Sequence, residues 1–389
     1  MPDDRSISTP PDDSAAPTEE DLDARWHQVV GRRSFLKGMG LAGAATLPGG
    51  ALLADSAMAS SARLSDGDVA ILRLLAAVEL IESDLWQQYN ELGGVNGGNA
   101  AYMAALQNLD GDMPQYIADN TDDELSHAAF LNAYLRSKGA PPVNLDEFRR
   151  LPSSKATGAR QVGRLTNLQR LNVDTSWYVR YRSPKSPDLG ARFPQAVTIR
   201  RQPAIPLSDT DTPPGLPAPV PPANAQESRM QAIANTAGFH FAYIEQGGSS
   251  LYSIMALKAT SLEVLRIVVS IGGVETNHFS LWHDKTGNAV AQPLAGVTDP
   301  ETGTTFPDLN AKGGELNQTN LILPEPTAFL RPGLPACSVV RPTLDRLGGA
   351  VATIASFTAD GLFDGQPPKF FTTVHKLARE ADAASRGAL

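Results

Sequence analysis

The chain has 389 residues, 42% of them hydrophobic and 19% charged, which leaves room for one large domain or two smaller ones and excludes a disordered or collagen-like chain. A formal charge of −9 opposes binding to a polyphosphate, so no nucleic-acid partner is expected, and no stretch of about 18 or more apolar residues recurs as a polytopic membrane protein would require. The single cysteine, Cys337, can form neither an intramolecular disulfide nor a cysteine zinc site, so any metal must be held by histidines and carboxylates.

Residues 1–30 are polar and acidic, with Pro10, Pro11 and Pro17 and no apolar period, and read as disordered. Gly31-Arg32-Arg33-Ser34-Phe35-Leu36-Lys37 then precedes a soft apolar run ending near Ala57-Met58-Ala59. A basic segment, an apolar segment and a small-residue site are the three parts of a secretory signal. Arg32 and Arg33, followed by Ser-Phe-Leu-Lys, resemble the twin-arginine export motif in order and spacing. Pro48 and the glycines between 38 and 54 suit a removable signal better than a membrane anchor. Residues 1–59 are therefore expected to be a leader and signal with cleavage near Ala59. Its partner would be the twin-arginine export machinery, and its destination the periplasm or the outside of a bacterial cell.

Residues 66–92 have apolar positions at helical intervals, among them Val69, Leu72, Leu75, Ala76 and Leu80, with Ser65 placed to cap the start. The glycines at 93 and 94 end this helix. A short helix is expected at 100–109 and a long one at 113–138, stopped by Gly139 and the following Pro141-Pro142. Residues 64–138 thus hold the first helix pair and residues 139–227 an insertion. Within that insertion, 203–222 is rich in proline and reads as an extended connection rather than core. Twelve basic residues between Arg149 and Arg201, against two Asp, read as a segment packed on acidic faces of its own protein. Helical periodicity returns at 228–258 and 261–284. Only Ala259-Thr260 separates these two, so they must be antiparallel neighbours within the unit 228–285. Residues 286–389 form an irregular extension with helices expected near 343–358 and 368–386.

The chemistry lies on the long helices. Glu124-Leu125-Ser126-His127 and Glu275-Thr276-Asn277-His278 each place a carboxylate and an imidazole one turn apart on one face, where both can reach one ion. With six His in the chain, less than one such pair is expected by chance, and two occur. The other two long helices each offer a Glu on an apolar background: Glu245 in the third, and Glu79 or Glu82 in the first. Glu79, among Leu75, Ala76 and Leu80, is the better inward candidate. Glu82 and Trp86 share its face, so Glu82 is read as a support or a substitute ligand. Four carboxylates balance the charge of two divalent ions, whereas without metal they are buried anions that ionise at high cost. Imidazole nitrogen with carboxylate oxygen suits Fe or Mn, and Zn fits the same donors.

This set of one Glu, one E-x-x-H, one Glu and one E-x-x-H in chain order resembles the ligand signature of the ferritin-like di-metal carboxylate family. With the Arg32-Arg33 leader, the chain is similar to exported ferritin-like-domain proteins akin to plant desiccation-related proteins. The resemblance implies a mostly α, ferritin-like four-helix bundle with a long Pro-rich crossover insertion. It also implies Glu79, Glu124, His127, Glu245, Glu275 and His278 as ligands of two Fe or Mn ions. Glu82, Trp86 and Tyr252 are candidates for support around them. Ferroxidase, oxidase or peroxide-handling chemistry, with O₂ or peroxide as substrate, is the implied function. The alternative is a non-catalytic protein of stress or desiccation protection with structural metal or none. A homo-oligomer is compatible with the family, but the insertion and tail would crowd the surfaces that a ferritin cage buries. Tyr89 and Tyr243 read as aromatic core, and His27, His240, His283 and His375 as outside the ligand set.

Overall fold

Three of the four long helices begin where a short polar side chain satisfies a first-turn backbone N–H group, and the other has proline in its first turn instead. The Ser65 hydroxyl accepts from the Asp68 amide at 3.0 Å and starts α1, Asp66–Gly93. Asn99 starts α2, Ala100–Gln107, in the same way, and α3 spans Met113–Ser137 with Pro114 in its first turn. A short helix, α4, spans Ser176–Arg180. Asn224 caps α5, Ala225–Lys258, and Ser261 caps α6, Leu262–Lys285, through a 3.1 Å bond from the Val264 amide. Near the C-terminus lie α7, Ala350–Asp360, and α8, Pro368–Ala383. The computed structural model describes residues 63–180, 193–211, 222, 224–312, 331, 333–339 and 349–386, and the expected leader, Arg32, Arg33 and Ala59 lie outside them. Among the described residues there is no strand, only isolated bridges, and no helix long and apolar enough to cross a membrane.

Side-chain contacts fix the directions of the four long helices. Ser83 bonds the Glu124 carbonyl and Thr121 the Trp86 carbonyl, so α1 and α3 are antiparallel. Trp86 meets Glu245 and Tyr89 meets His240, so α1 and α5 are antiparallel too. Asn120 with Trp282 and Lys138 with Glu263 oppose α3 to α6. It follows that α3 and α5 run the same way. A helix of about 25 residues is about 37 Å long, so the chain leaving α3 must travel the length of the bundle before α5 can begin. That is the reason for the long connection: the fold is a mostly α, up-down-down-up bundle of the ferritin-like kind.

The insertion does more than connect. Buried Asp84 of α1 accepts from the Leu165 and Thr166 amides, each at 2.9 Å, from the Thr166 hydroxyl at 2.7 Å and from Arg149 Nη1 at 2.7 Å. Arg164 pairs with Glu91, about two turns further along α1. These are the acidic faces that the basic segment was expected to meet. The expectation that 203–222 avoids the core fails at its start. Pro203, Ala204, Ile205 and Pro206 are buried, and the Ala204 carbonyl accepts from buried Tyr102 at 2.7 Å. Proline there removes donors that a dry environment would leave unpaired, so an irregular segment can be core without helical period.

The tail is also structural. Helix α8 packs along α1 and α7, and α7 reaches α5. The expected helix at 343–358 begins at Ala350 among the described residues, where Gly349 takes φ +97°. Asp382 of α8 occupies the space beside that glycine and accepts from the Ala350 and Val351 amides, each at 2.9 Å, capping α7 from a neighbouring helix.

Candidate metal centre

Midway along the bundle, the inward faces of α1, α3, α5 and α6 carry a polar layer inside an otherwise apolar core. Glu79, Glu82, Glu124, Glu245 and Glu275 are all fully buried. His127 Nδ1 lies 3.2 Å from Glu124, 3.3 Å from Glu275 and 3.4 Å from Glu79. His278 Nδ1 lies 3.1 Å from Glu124 and 3.2 Å from Glu245. Two donor sets result: Glu79, Glu124, His127 and Glu275, and Glu124, Glu245, Glu275 and His278. Within each set the ligand atoms all lie within 4.8 Å of one another. The sets share Glu124 and Glu275, one from each E-x-x-H pair. All six residues read as ligands from the sequence are thus brought to one place.

Neighbouring side chains orient the carboxylates. Trp86 Nε1 donates to Glu245 Oε1 at 2.9 Å, and the Tyr252 hydroxyl donates to Glu79. Asn120 Nδ2 bridges Glu124 Oε1 at 2.8 Å and Glu245 Oε1 at 3.1 Å, and its own carbonyl accepts from Trp282 Nε1 at 2.8 Å. On the outer side, His278 Nε2 lies 3.1 Å from Asp123 Oδ2. When the Nδ1 proton leaves, Asp123 holds the other proton on Nε2, and Nδ1 then turns a lone pair to the cluster, the state in which imidazole binds metal. Asn120 and Asp123 were not found from sequence. Asn120 precedes Glu124 by one turn, and that spacing is the one signal that would have pointed to it.

The electrostatics are those of a cluster short of positive charge. Burial, then repulsion from Glu124, pushes Glu79 up to about 8. Glu82 and Glu275 are raised well above the carboxylate range by burial first and by the surrounding carboxylates next. Glu245 is raised by burial as well. Burial works the same way on Glu124, but hydrogen bonds from His127 and His278 outweigh it and hold that carboxyl low. Burial disfavours both imidazolium forms, yet the facing carboxylates raise both histidines. Even so, Glu79 Oε2 and both oxygens of Glu82 and Glu275 accept no hydrogen bond. Buried carboxylate oxygens without donors are costly unless a cation takes the place of the donors.

The backbone makes room for one of them. A Cβ on Gly248 of α5 would stand 2.3 Å from Glu275 Oε2, so only glycine lets that carboxylate lie against the helix. A family model, that of the ferritin-like domain, matches residues 67–288. The chain belongs to the ferritin-like domain family. The match runs from the start of α1 through the insertion to the end of α6, more than half the chain. No curated protein and no solved structure matches it. In this ferritin-like bundle the donors are nitrogen and carboxylate oxygen only, and Glu79 and Glu275, which carry orphaned oxygens, belong to the donor sets, so the residues present fit a pair of metal ions.

Proposed function

We propose that this ferritin-like protein holds two Fe or Mn ions and uses them in oxidase, ferroxidase or peroxide-handling chemistry after export from the cell that makes it. The observation that carries this reading is the pair of donor sets sharing Glu124 and Glu275. Glu79 and His127 would complete one ion's shell, Glu245 and His278 the other's, with Glu124 and Glu275 between them. A redox-active metal pair bound there supplies electrons to O₂ or peroxide.

The protein's own part is positional and electrostatic. Trp86, Asn120 and Tyr252 hold the Glu245, Glu124 and Glu79 carboxylates in fixed directions, and Asp123 holds the His278 proton on Nε2. Burial keeps water from the carboxylates, which strengthens their attraction for a cation. Export rests on the Arg32-Arg33 leader and the small-residue site near Ala59, and a folded, loaded protein is what the twin-arginine machinery carries.

The test is metal content per chain of the mature protein recovered from its exported compartment without added metal, beside a Glu124→Ala/Glu275→Ala double variant. The expected result is about two Fe or Mn per chain, lost in a variant that still folds. A well-folded wild type that takes up neither Fe(II) nor Mn(II) under anaerobic loading would end the dinuclear reading. Zn alone would leave the site but remove the redox chemistry.

A further inference from the structure

A second buried polar cluster lies beyond Trp86, and the metal reading makes no use of it. The Tyr89 hydroxyl of α1 is 2.8 Å from His240 Nδ1 of α5. His240 Nε2 is 3.3 Å from Asp360 Oδ2 at the end of α7. Tyr89 and His240 are 0% exposed and Asp360 is 2% exposed. A carboxylate beside Nε2 selects the tautomer with its proton there, which leaves Nδ1 as an acceptor and makes the phenol the donor. The tyrosine therefore rests against an imidazole whose far nitrogen faces a buried carboxyl group 3.3 Å away, a group that burial raises above its ordinary value and that an imidazolium beside it would ionise.

This arrangement is connected to the carboxylate layer by aromatic rings. Trp86, whose indole donates to Glu245, has its ring centre 5.7 Å from that of Tyr89. Phe241 fills the angle between them, 4.9 Å from Trp86 and 4.6 Å from Tyr89. Three polar groups from three helices have been drawn into a dry core that apolar residues would fill at less cost. No substrate can reach them there. Electrons and protons can.

We propose that Tyr89 is a redox-active side chain, a one-electron donor linked through Trp86 to the Glu245 side of the metal centre, with His240 as its proton acceptor. The proposal rests on the metal reading only for its oxidant, which is of the class produced by a redox metal with peroxide. That oxidant gains one electron. The Tyr89 phenol loses that electron by way of Trp86, and its O–H bond breaks as the proton passes to His240 Nδ1. A neutral phenoxyl radical and an imidazolium remain, and Asp360 balances the imidazolium charge. Return of one electron and one proton restores the phenol. Other buried tyrosines have different partners: Tyr102 donates to the Ala204 carbonyl and Tyr252 to the candidate ligand Glu79. Asp360 belongs to the C-terminal extension, so this role also gives that extension a purpose at the bundle core.

The test has a metal-free arm and a loaded arm, both on the full mature chain. In the first, flash-generated tris(bipyridine)ruthenium(III) oxidises metal-free protein and the radical is read by EPR. The expected result is a tyrosyl signal whose decay slows in deuterated solvent. Tyr89→Phe should lose the signal, and His240→Gln should lose the solvent isotope effect. Thermal unfolding shows that both variants fold. In the second arm, Fe(II)-loaded protein is mixed with peroxide, and the same signal should appear and vanish in Tyr89→Phe. A signal that survives Tyr89→Phe, or one indifferent to His240→Gln, overturns the proposal. A protein that binds iron and gives the photochemical signal but none with peroxide overturns the link to the centre. Absence of iron binding ends the metal reading instead, and the metal-free arm still decides the tyrosine.

Discussion

Asp84 and Glu275 are both buried carboxylates of one bundle, and their surroundings are opposite. Asp84 has a guanidinium, two amides and a hydroxyl within hydrogen-bond distance, supplied by the insertion. Glu275 has one nitrogen near it, His127 Nδ1 at 3.3 Å, which it shares with Glu124 and Glu79, neither oxygen makes a well-formed hydrogen bond, and glycine at 248 leaves room for Oε2. Burial alone therefore does not mark a functional acid. A satisfied acid holds two parts of the chain together, whereas an unsatisfied one grouped with imidazoles and other carboxylates is able to take a cation. The two acids should respond to mutation in opposite ways. Asp84→Ala should destabilise the protein by about 3 kcal/mol, because a guanidinium and two amides lose their acceptor. Its metal content should stay at the wild-type value once folded. Glu275→Gln should do the reverse, abolishing metal uptake while the metal-free protein unfolds at the same denaturant concentration or a higher one. Denaturant titration with metal analysis on both variants reads the contrast directly.

The unsatisfied acids should also make the stability of the metal-free protein depend on pH. Glu79, Glu82 and Glu275 have raised values in the folded, metal-free protein and ordinary ones when unfolded. Their protonated forms are stabilised by folding, so the unfolded chain holds fewer protons and stability falls as pH rises. The contribution is complete below the unfolded value of 4.5 and, for Glu79, is lost as pH climbs through about 8. The loaded protein has lost those protons already and should not share the slope. Stabilisation by metal, which reaches about 4 kcal/mol at a thousandfold excess over the dissociation constant, should therefore be larger at pH 8 than at pH 6. Thermal unfolding of both forms across that range is the measurement, and parallel curves would contradict it.

The two kinds of acid also differ in how legible they are in a sequence. The four long helices follow from apolar spacing and caps, and Glu124, His127, Glu275 and His278 stand out because E-x-x-H is rare and repeats here. Glu79 and Glu245 follow from their apolar neighbours. Asp84 could not be singled out, because the guanidinium and amides that satisfy it lie more than sixty residues away on backbone without period. Leu165, Leu168, Leu171, Val197 and Ile199 are core for the same reason and were invisible as core. Asn120 looks like any polar residue on a half-exposed helix until Glu245 and Trp282 are brought to it. Tertiary contacts of this sort leave no local pattern. Periodicity reports the face that a helix buries, and says nothing about what meets that face.

A smaller effect is expected where an acid lies between the two extremes. The Asp123 side chain is about half exposed and its carboxylate lies 3.1 Å from His278 Nε2. It anchors no part of the fold, so Asp123→Ala should leave unfolding unchanged. It is also no candidate ligand, so both metals should still bind. What it should lose is the bias toward a proton on Nε2, which keeps His278 Nδ1 free for metal. Partners of this kind typically contribute 10–100-fold to metal affinity, and water beside an exposed carboxylate can replace part of that, so a loss of about tenfold is expected. The weakening should appear at one of two binding steps in a calorimetric titration, because His127 has no share in this contact. Equal weakening of both steps would show that Asp123 acts through the general field of the cluster. Weakening of one step assigns the proton to Nε2, and with it the direction in which His278 faces its metal.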